Sequence, residues 1–251
     1  MRETIRKWIE ECIREETART GAPNRWGRPL VGFADASDEA FLPLRQAAHP
    51  NHRLASEELP GATVAVSWFL PFTRALAEGN RAGELPSRDW SDAYGETNAM
   101  ARRVNEYLVR QLGEMGARAA VPQGADCTDP ERVMSLWSQR HVAWLAGLGT
   151  FGRNNLLIGE QGSCGRYYSV VTTLQVPPDR PLTRENCLFR RGIPCRACLD
   201  RCPVQALTDG GFDRFACHRV TERNAARYGG HDVCGKCAVG LPCSFGVPEQ
   251  G

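Results

Sequence analysis

The sequence predicts a mixed α/β or α+β N-terminal domain, residues 1–179, followed by a small cysteine-rich domain, residues 180–251, that folds around metal. Helix-period and strand-type runs alternate through the first 176 residues, while eight of the eleven cysteines fall within the last 65. With 251 residues and 42% hydrophobic composition, the chain can bury a real core without disulfides.

Ile5, Trp8, Ile9, Cys12 and Ile13 recur at helical spacing, so the chain opens on an amphipathic helix of about four turns with Cys12 as a core thiol. LVGFAD (30–35) and ATVAVSWFL (62–70) read as strands, the second so apolar that it belongs at the centre of a sheet. Between them LRQAAHPNHRLASEELPG reads as loop. His49 and His52 stand there three residues apart, but Pro50 works against the helix that would align them as a metal pair. From Tyr94 to Met115 a long helix is marked by Met100, Val104, Leu108 and Leu112, with Arg102, Arg103 and Arg110 outward. ARAAV follows as a short strand. DPERVMSLWSQRHVAWLAGLG predicts a helix with Asp129 as N-cap and Pro130 in its first position, carrying His141 and ending in a glycine-rich turn. NNLLIG and RYYSVVTTLQV give two further strands, and PPDRPLTREN the linker to the cysteine-rich part.

The N-terminus MRETIRKWIEECIREE is not a signal peptide and no apolar run nears the roughly 18 residues of a membrane span, so a cytoplasmic protein without membrane contact is expected. In a reducing compartment the cysteines then point to metal or redox chemistry rather than disulfides. The formal charge is +2, and 29 of the 31 basic residues are Arg. From Arg180 onward eleven basic side chains face seven acidic ones. Eight ionised thiols on two iron-sulfur cores of charge about +2 each would bring about −4 and cancel that surplus, so nucleic acid is not an expected partner.

The cysteine pattern is Cys187-x7-Cys195-x2-Cys198-x3-Cys202-Pro, then Cys217, then Cys234-x2-Cys237-x5-Cys243. A 4Fe-4S cubane takes four thiolates, and in two-cluster ferredoxins the cysteine before proline ligates the other cluster. That rule assigns Cys202, Cys217, Cys234 and Cys237 to one cluster and Cys187, Cys195, Cys198 and Cys243 to the other, in a ferredoxin-like domain with two clusters. Paired C-x2-C units also build zinc sites, which remain the alternative, although zinc has no use for the third cysteine followed by proline. The fit is irregular at two ligands of the same cluster. Gly192 stands where the usual run has a cysteine, so Cys187 reaches in from a longer loop, and Cys243 lies six residues after Cys237 with Pro242 before it. Strained ligation or an open iron is therefore confined to that cluster.

AGLGTFGRNNLLI (146–158), GSCGRYYSVVTTLQV, CRACLDRCPVQAL and CGKC, in that order, resemble the iron-sulfur half of the epoxyqueuosine reductase-like family and, more distantly, reductive dehalogenases. The resemblance runs from about residue 141 to 243. It implies a nitroreductase-like α/β domain that holds cobalamin and receives electrons from two 4Fe-4S clusters. It also implies that Gly147, Leu148, Gly149, Thr150, Phe151 and Gly152, with Arg153, Asn154 and Asn155, lie against the corrin, where glycines would let backbone amides approach the macrocycle. The family's catalytic aspartate, in a D-x-x-P-x-x-E-R context, has no counterpart in VMSLWSQRHVAWLAGLG, and the family's helical extension for tRNA is not expected in this chain. His141 is the candidate general acid, with a capping or core-facing histidine as the alternative. Cys164, in GSCGR, reads either as a cobalt-proximal thiol or as a small residue in a turn, and Cys127 has no assignment.

The expected function is an iron-sulfur reductase in which the clusters feed a corrinoid that reduces a small or nucleoside-like substrate. The alternatives are a non-catalytic electron carrier or activator for another corrinoid protein, and an epoxyqueuosine reductase acting on tRNA. Expected partners are an electron donor such as flavodoxin, ferredoxin or a reductase and, under the carrier reading, a corrinoid protein.

Overall fold

The computed structural model describes residues 1–21 and 25–249. Its centre is a four-stranded sheet of β1 (Leu30–Asp35), β2 (Val64–Pro71), β8 (Gly165–Thr172) and β3 (Ala119–Ala120), in that order, with every pairing antiparallel. β2 is buried at all eight positions and lies between β1 and β8, as an apolar strand at the centre of a sheet requires.

Two helices cover one face. α1 (Arg2–Thr20) turns Ile5, Ile9 and Ile13 inward, and α2 (Arg88–Glu114) contributes Met100, Val104, Leu108 and Leu112. Both pack on Phe33, Val64, Val66, Trp68 and Leu70. α2 starts six residues before the sequence signal because Ser87 caps it, its hydroxyl accepting from the Trp90 amide at 3.2 Å. The opposite face receives α3 (Gln139–Leu145), whose Val142 and Leu145 join Ala34, Phe41, Trp137 and Val171. The segment read as loop, 44–61, contains two single-turn helices, Leu44–Ala47 and Ala55–Glu58.

The helix expected from Asp129 does not form. The chain makes a hairpin of β4 (Thr128–Asp129) and β5 (Met134–Ser135), and α3 begins only at Gln139. Asp129 spends its carboxylate on the turn: Oδ1 accepts from the Glu131 and Arg132 amides at 2.9 and 3.0 Å. Val133 at φ 51° then breaks any helical continuation. NNLLIG supplies only the short β7 (Leu157–Ile158), paired with β6 (Thr150–Phe151) across a loop in which Asn155 takes a φ of 58°.

The linker carries no helix or strand from 177 to 186 but is pinned. The Asp179 amide donates to the Phe33 carbonyl at 2.7 Å, its carboxylate accepts from the Phe33 amide at 3.0 Å, and Arg2 forms an ion pair with it. The cysteine-rich part holds α4 (Arg214–Arg227), short turns and a small hairpin of Leu207–Thr208 with Gly211–Phe212, and it packs on the rest of the chain through an apolar cluster of Val239 with Phe72, Leu76 and Trp90 as well as through polar contacts. Asn80 Nδ2 donates to the Cys234 carbonyl at 3.0 Å, and Tyr228 Oη donates to the Pro86 carbonyl at 2.7 Å. No helix among the described residues is long and apolar enough to cross a membrane.

Candidate metal centres and cleft

Cys187, Cys195, Cys198 and Cys243 all line one small cavity of about 20 Å³. The rest of its wall is largely apolar, with Ile158, Leu188, Phe189, Leu241, Pro242 and Pro248. Phe189 stands at its rim, 47% exposed. Cys202, Cys217 and Cys237 line a separate cleft of about 340 Å³ whose walls are mixed, with Arg140, His141, Asn155 and Arg214 set among apolar side chains such as Met134, Leu156 and Phe212. The fourth cysteine of that set, Cys234, acts electrostatically on Cys217 and Cys237, which also feel Cys202 or each other. Four of the eight C-terminal cysteines thus share one cavity wall and three another, while Cys234 lines neither.

Burial raises the thiols of Cys198, Cys217, Cys234, Cys237 and Cys243, the last to about 12. Neighbouring cysteines add to the rise, because each thiolate repels the next. Such a set ionises only around a cationic centre, which is how metal binding couples to thiol deprotonation. No three described His, Cys, Asp or Glu side chains converge at the spacing of a single-ion site. Four thiols on one cavity wall have the donor chemistry of a polynuclear iron-sulfur core.

Local contacts hold the quartets in place. The Ala206 amide donates to Cys202 Sγ at 3.2 Å. Lys236, between Cys234 and Cys237, is 1% exposed, and its Nζ donates to the Asn80 and Ala82 carbonyls at 2.8 and 2.7 Å. Its charge has no carboxylate partner among the described residues. Asn154 lines both the cavity and the cleft; its Nδ2 donates to the Cys237 carbonyl at 2.8 Å and its Oδ1 accepts from the Leu156 amide at 3.2 Å. Arg153 donates to the Cys195 carbonyl at 3.3 Å, pairs with Asp209 at 2.7 Å and lies over the Phe189 ring. Both residues expected against a corrin therefore brace the cysteine loops.

The glycine turn has reasons inside the chain. A Cβ on Gly149 would lie 2.4 Å from the Ile158 carbonyl oxygen, and Gly147 takes a φ of +69° against the Arg180 carbonyl. These two glycines allow strand and linker to approach closely, which is a different use from contact with a flat ligand. Leu148 packs among core side chains, and Thr150 Oγ1 accepts from the Asn186 amide at 2.7 Å. The Phe151 ring lies 4.6 Å from that of His141 at a tilt of 40°, and Gly152 lines the small cavity of Cys187 and Cys195. Of the nine residues, Asn154 and Asn155 reach the cleft.

His141 lines the cleft, with Nδ1 2.7 Å from Ser138 Oγ. Burial, then the charges of Arg140, His52 and Arg214, push it down to about 4, so it is a neutral imidazole at pH 7. His49 and His52 are not a metal pair. His49 Nδ1 accepts from the Asn51 amide while Nε2 donates to Asp129 Oδ2 at 3.1 Å; His52 Nε2 accepts from the Ser138 amide while Nδ1 donates to the Arg53 carbonyl. Cys164 is fully buried beside Phe72, Trp90 and Val239, and burial raises it to about 12, so it is a packed thiol. Cys127 is exposed.

Residue types alone did not mark Arg140, Arg166 and Arg214 among 29 arginines. Arg140 and Arg214 line the cleft, and Arg140 and Arg166 line an adjoining compartment of about 380 Å³ that is also lined by Trp137 and Tyr167. Lys236 had a signal: it is one of two lysines and sits inside CGKC.

No protein-family model matches the chain. It is 26% identical over 207 residues to the epoxyqueuosine reductase of Bacillus cereus, covering 74% of this chain and 50% of that protein. The chain thus spans about half the length of the curated relatives it first matches. The structure of epoxyqueuosine reductase from Bacillus subtilis, described with its catalytic aspartate loop swung out, aligns with a TM-score of 0.54 at 18% identity over 98% of this chain and 68% of that one. A catabolic reductive dehalogenase aligns at 0.60 and 18% over 86% and 30% of the two chains. Another, described in terms of B12-dependent dehalogenation, aligns at 0.50 and 18% over 72% and 24%. The fold is one shared by epoxyqueuosine reductases and reductive dehalogenases. In sequence and fold the chain is epoxyqueuosine reductase-like, as its motifs implied.

Proposed function

We propose that the chain is a reductase that passes single electrons from two 4Fe-4S clusters to a corrinoid in the cleft, and that it acts on a small or nucleoside-like substrate. The observation that carries this reading is the unequal placement of the quartets: one surrounds a cavity beside exposed Phe189, and the other opens on the cleft. Cys187, Cys195, Cys198 and Cys243 would hold the outer cluster, and Cys202, Cys217, Cys234 and Cys237 the one facing the cleft. A corrinoid bound there would supply cobalt-centred reduction, with its geometry and potential set by the protein.

The chain's own residues do the rest. Asn154 fixes the wall between the two cluster sites, and Arg153 secures the Cys195 loop. Lys236 places a buried cation beside the inner quartet, where positive charge favours the reduced cluster. His141, held by Ser138, is a neutral hydrogen-bonding partner in the cleft. Among the described residues no carboxylate lines the cleft or its adjoining compartment; His141 and His218 line the cleft and Tyr167 the compartment.

Anaerobically reconstituted protein should carry about eight iron and eight sulfide per chain and should retain added cobalamin through a desalting column. Four iron or fewer, with bound zinc, overturns the two-cluster assignment. Full clusters without cobalamin retention give the electron-carrier reading in its place. The Bacillus cereus relative favours a second reading, epoxyqueuosine reduction in tRNA. Queuosine in bulk tRNA from a bacterium lacking its own reductase should stay absent when this chain is expressed; its restoration would put tRNA first.

A further inference from the structure

We infer that the cleft seats an anionic group, a carboxylate or a phosphate, on Arg140 and Arg214. This deepens the proposed function by naming the charge class of the cleft's ligand, and the argument for the seat does not require that a corrinoid binds.

The cleft and its adjoining compartment share the Arg140 side chain, and in a chain with 29 acidic residues neither is lined by a single Asp or Glu. Arg140, Arg166 and Arg214 make no ion pair with any described carboxylate, whereas Arg153 and Arg196 nearby both pair with Asp209. Each guanidinium offers five N–H donors. Arg140 uses one on the Asn155 carbonyl, and Arg214 has only a 3.5 Å contact to the Val133 carbonyl. Their unused nitrogens are not sealed in the core, since neither residue has a buried nitrogen without a partner. Arg166 is more committed, donating to Tyr168 Oη at 3.0 Å and lying over the Tyr94 ring.

Gathering like charges around a concavity costs energy, and Arg140 feels both Arg214 and Arg166 as repulsive neighbours. The cost is offset when an anion arrives, because planar guanidinium donors match carboxylate and phosphate oxygens two at a time. Cluster thiolates at Cys217 and Cys237 offset part of it, but they lie on the cleft floor and occupy no donor of Arg140 or Arg214 by hydrogen bond.

Two sources share this chemistry: the phosphodiester of a complete cobalamin and an acidic group on the substrate. The test is calorimetric titration of cluster-loaded protein, without corrinoid, with inorganic phosphate and separately with acetate. Saturable binding of at least one anion is expected. Arg140→Met and Arg214→Met should each weaken it at least about tenfold, with Arg140→Lys retaining most of it. No binding by the wild type overturns the inference. So does unchanged anion affinity in both methionine variants, even if their cluster potentials shift, since the arginines would then only balance cluster charge. Competition by cobalamin but not by cobinamide, which lacks the phosphate, assigns the seat to the cofactor. Corrinoid binding without competition assigns it to the substrate. Phosphate binding with no binding of either corrinoid sustains the seat and removes the corrinoid reading alone.

Discussion

The two groups of cysteines have the same side chains and different surroundings. Cys187, Cys195, Cys198 and Cys243 enclose a largely apolar cavity with an exposed phenylalanine at its edge, while Cys202, Cys217 and Cys237 look into a more polar cleft in which arginine and histidine stand among apolar side chains. An apolar enclosure keeps water from a cluster and suits passage of an electron; a polar cleft suits a ligand that reacts. Under the proposed function the difference gives a direction: electrons would enter at the first quartet and leave at the second.

Removing one cysteine from each quartet should break the comparison most severely. Cys237→Ala is expected to lose about half the iron and all electron delivery to the cleft. Cys195→Ala is expected to lose a similar amount of iron while leaving the inner cluster reducible by a small chemical reductant but not by a protein donor. Iron analysis with EPR of both variants checks this, and equal behaviour of the two would erase the distinction.

Acid should act on the cleft side of the first domain. His52 is fully buried and held at about 4, below the 6.5 it regains on unfolding, chiefly because burial penalises the charged ring. The unfolded chain therefore binds a proton that the folded chain refuses, and stability falls as pH drops from about 6.5 to about 4, by about 3 kcal/mol for this residue. Urea unfolding across that range is expected to show the loss, and His52→Asn to flatten it.

A smaller effect sits at the wall between the quartets. Asn154→Leu leaves the Cys237 carbonyl and the Leu156 amide without their side-chain partner. It should cost about 1–3 kcal/mol in denaturant unfolding and broaden the EPR signals of both clusters. The smallest effect is electrostatic. Lys236→Met removes the buried cation, so the inner cluster's reduction potential should become more negative while the outer one stays in place. An EPR-monitored redox titration distinguishes the two.

The same physics separates what could be read in the sequence from what could not. Strand β2 was legible because its apolar run has one solution, the middle of a sheet. The nearness of Cys187, Cys195, Cys198 and Cys243 was legible in their spacing, and the irregular Cys187 and Cys243 reach the same cavity wall as the other two. The hairpin at Asp129 was not, because an N-cap aspartate and a turn aspartate are the same residue locally; His49, eighty positions away, adds to the turn's hold on it. Likewise the turn glycines gave no hint of which body they approach, since a ligand and the Ile158 carbonyl demand the same absence of a Cβ. The cleft's charge was hidden for a third reason: it depends on which arginines lack an acidic neighbour, and pairing is a property of the folded chain alone.

The claim that the second quartet faces the reaction site is tested most directly by adding cobalamin to reduced, cluster-loaded protein and recording which cluster signal changes in the EPR spectrum. The expected result is perturbation of the signal that disappears in Cys237→Ala, with the signal that disappears in Cys195→Ala unaffected. Perturbation of the outer signal, or of neither, would contradict the account.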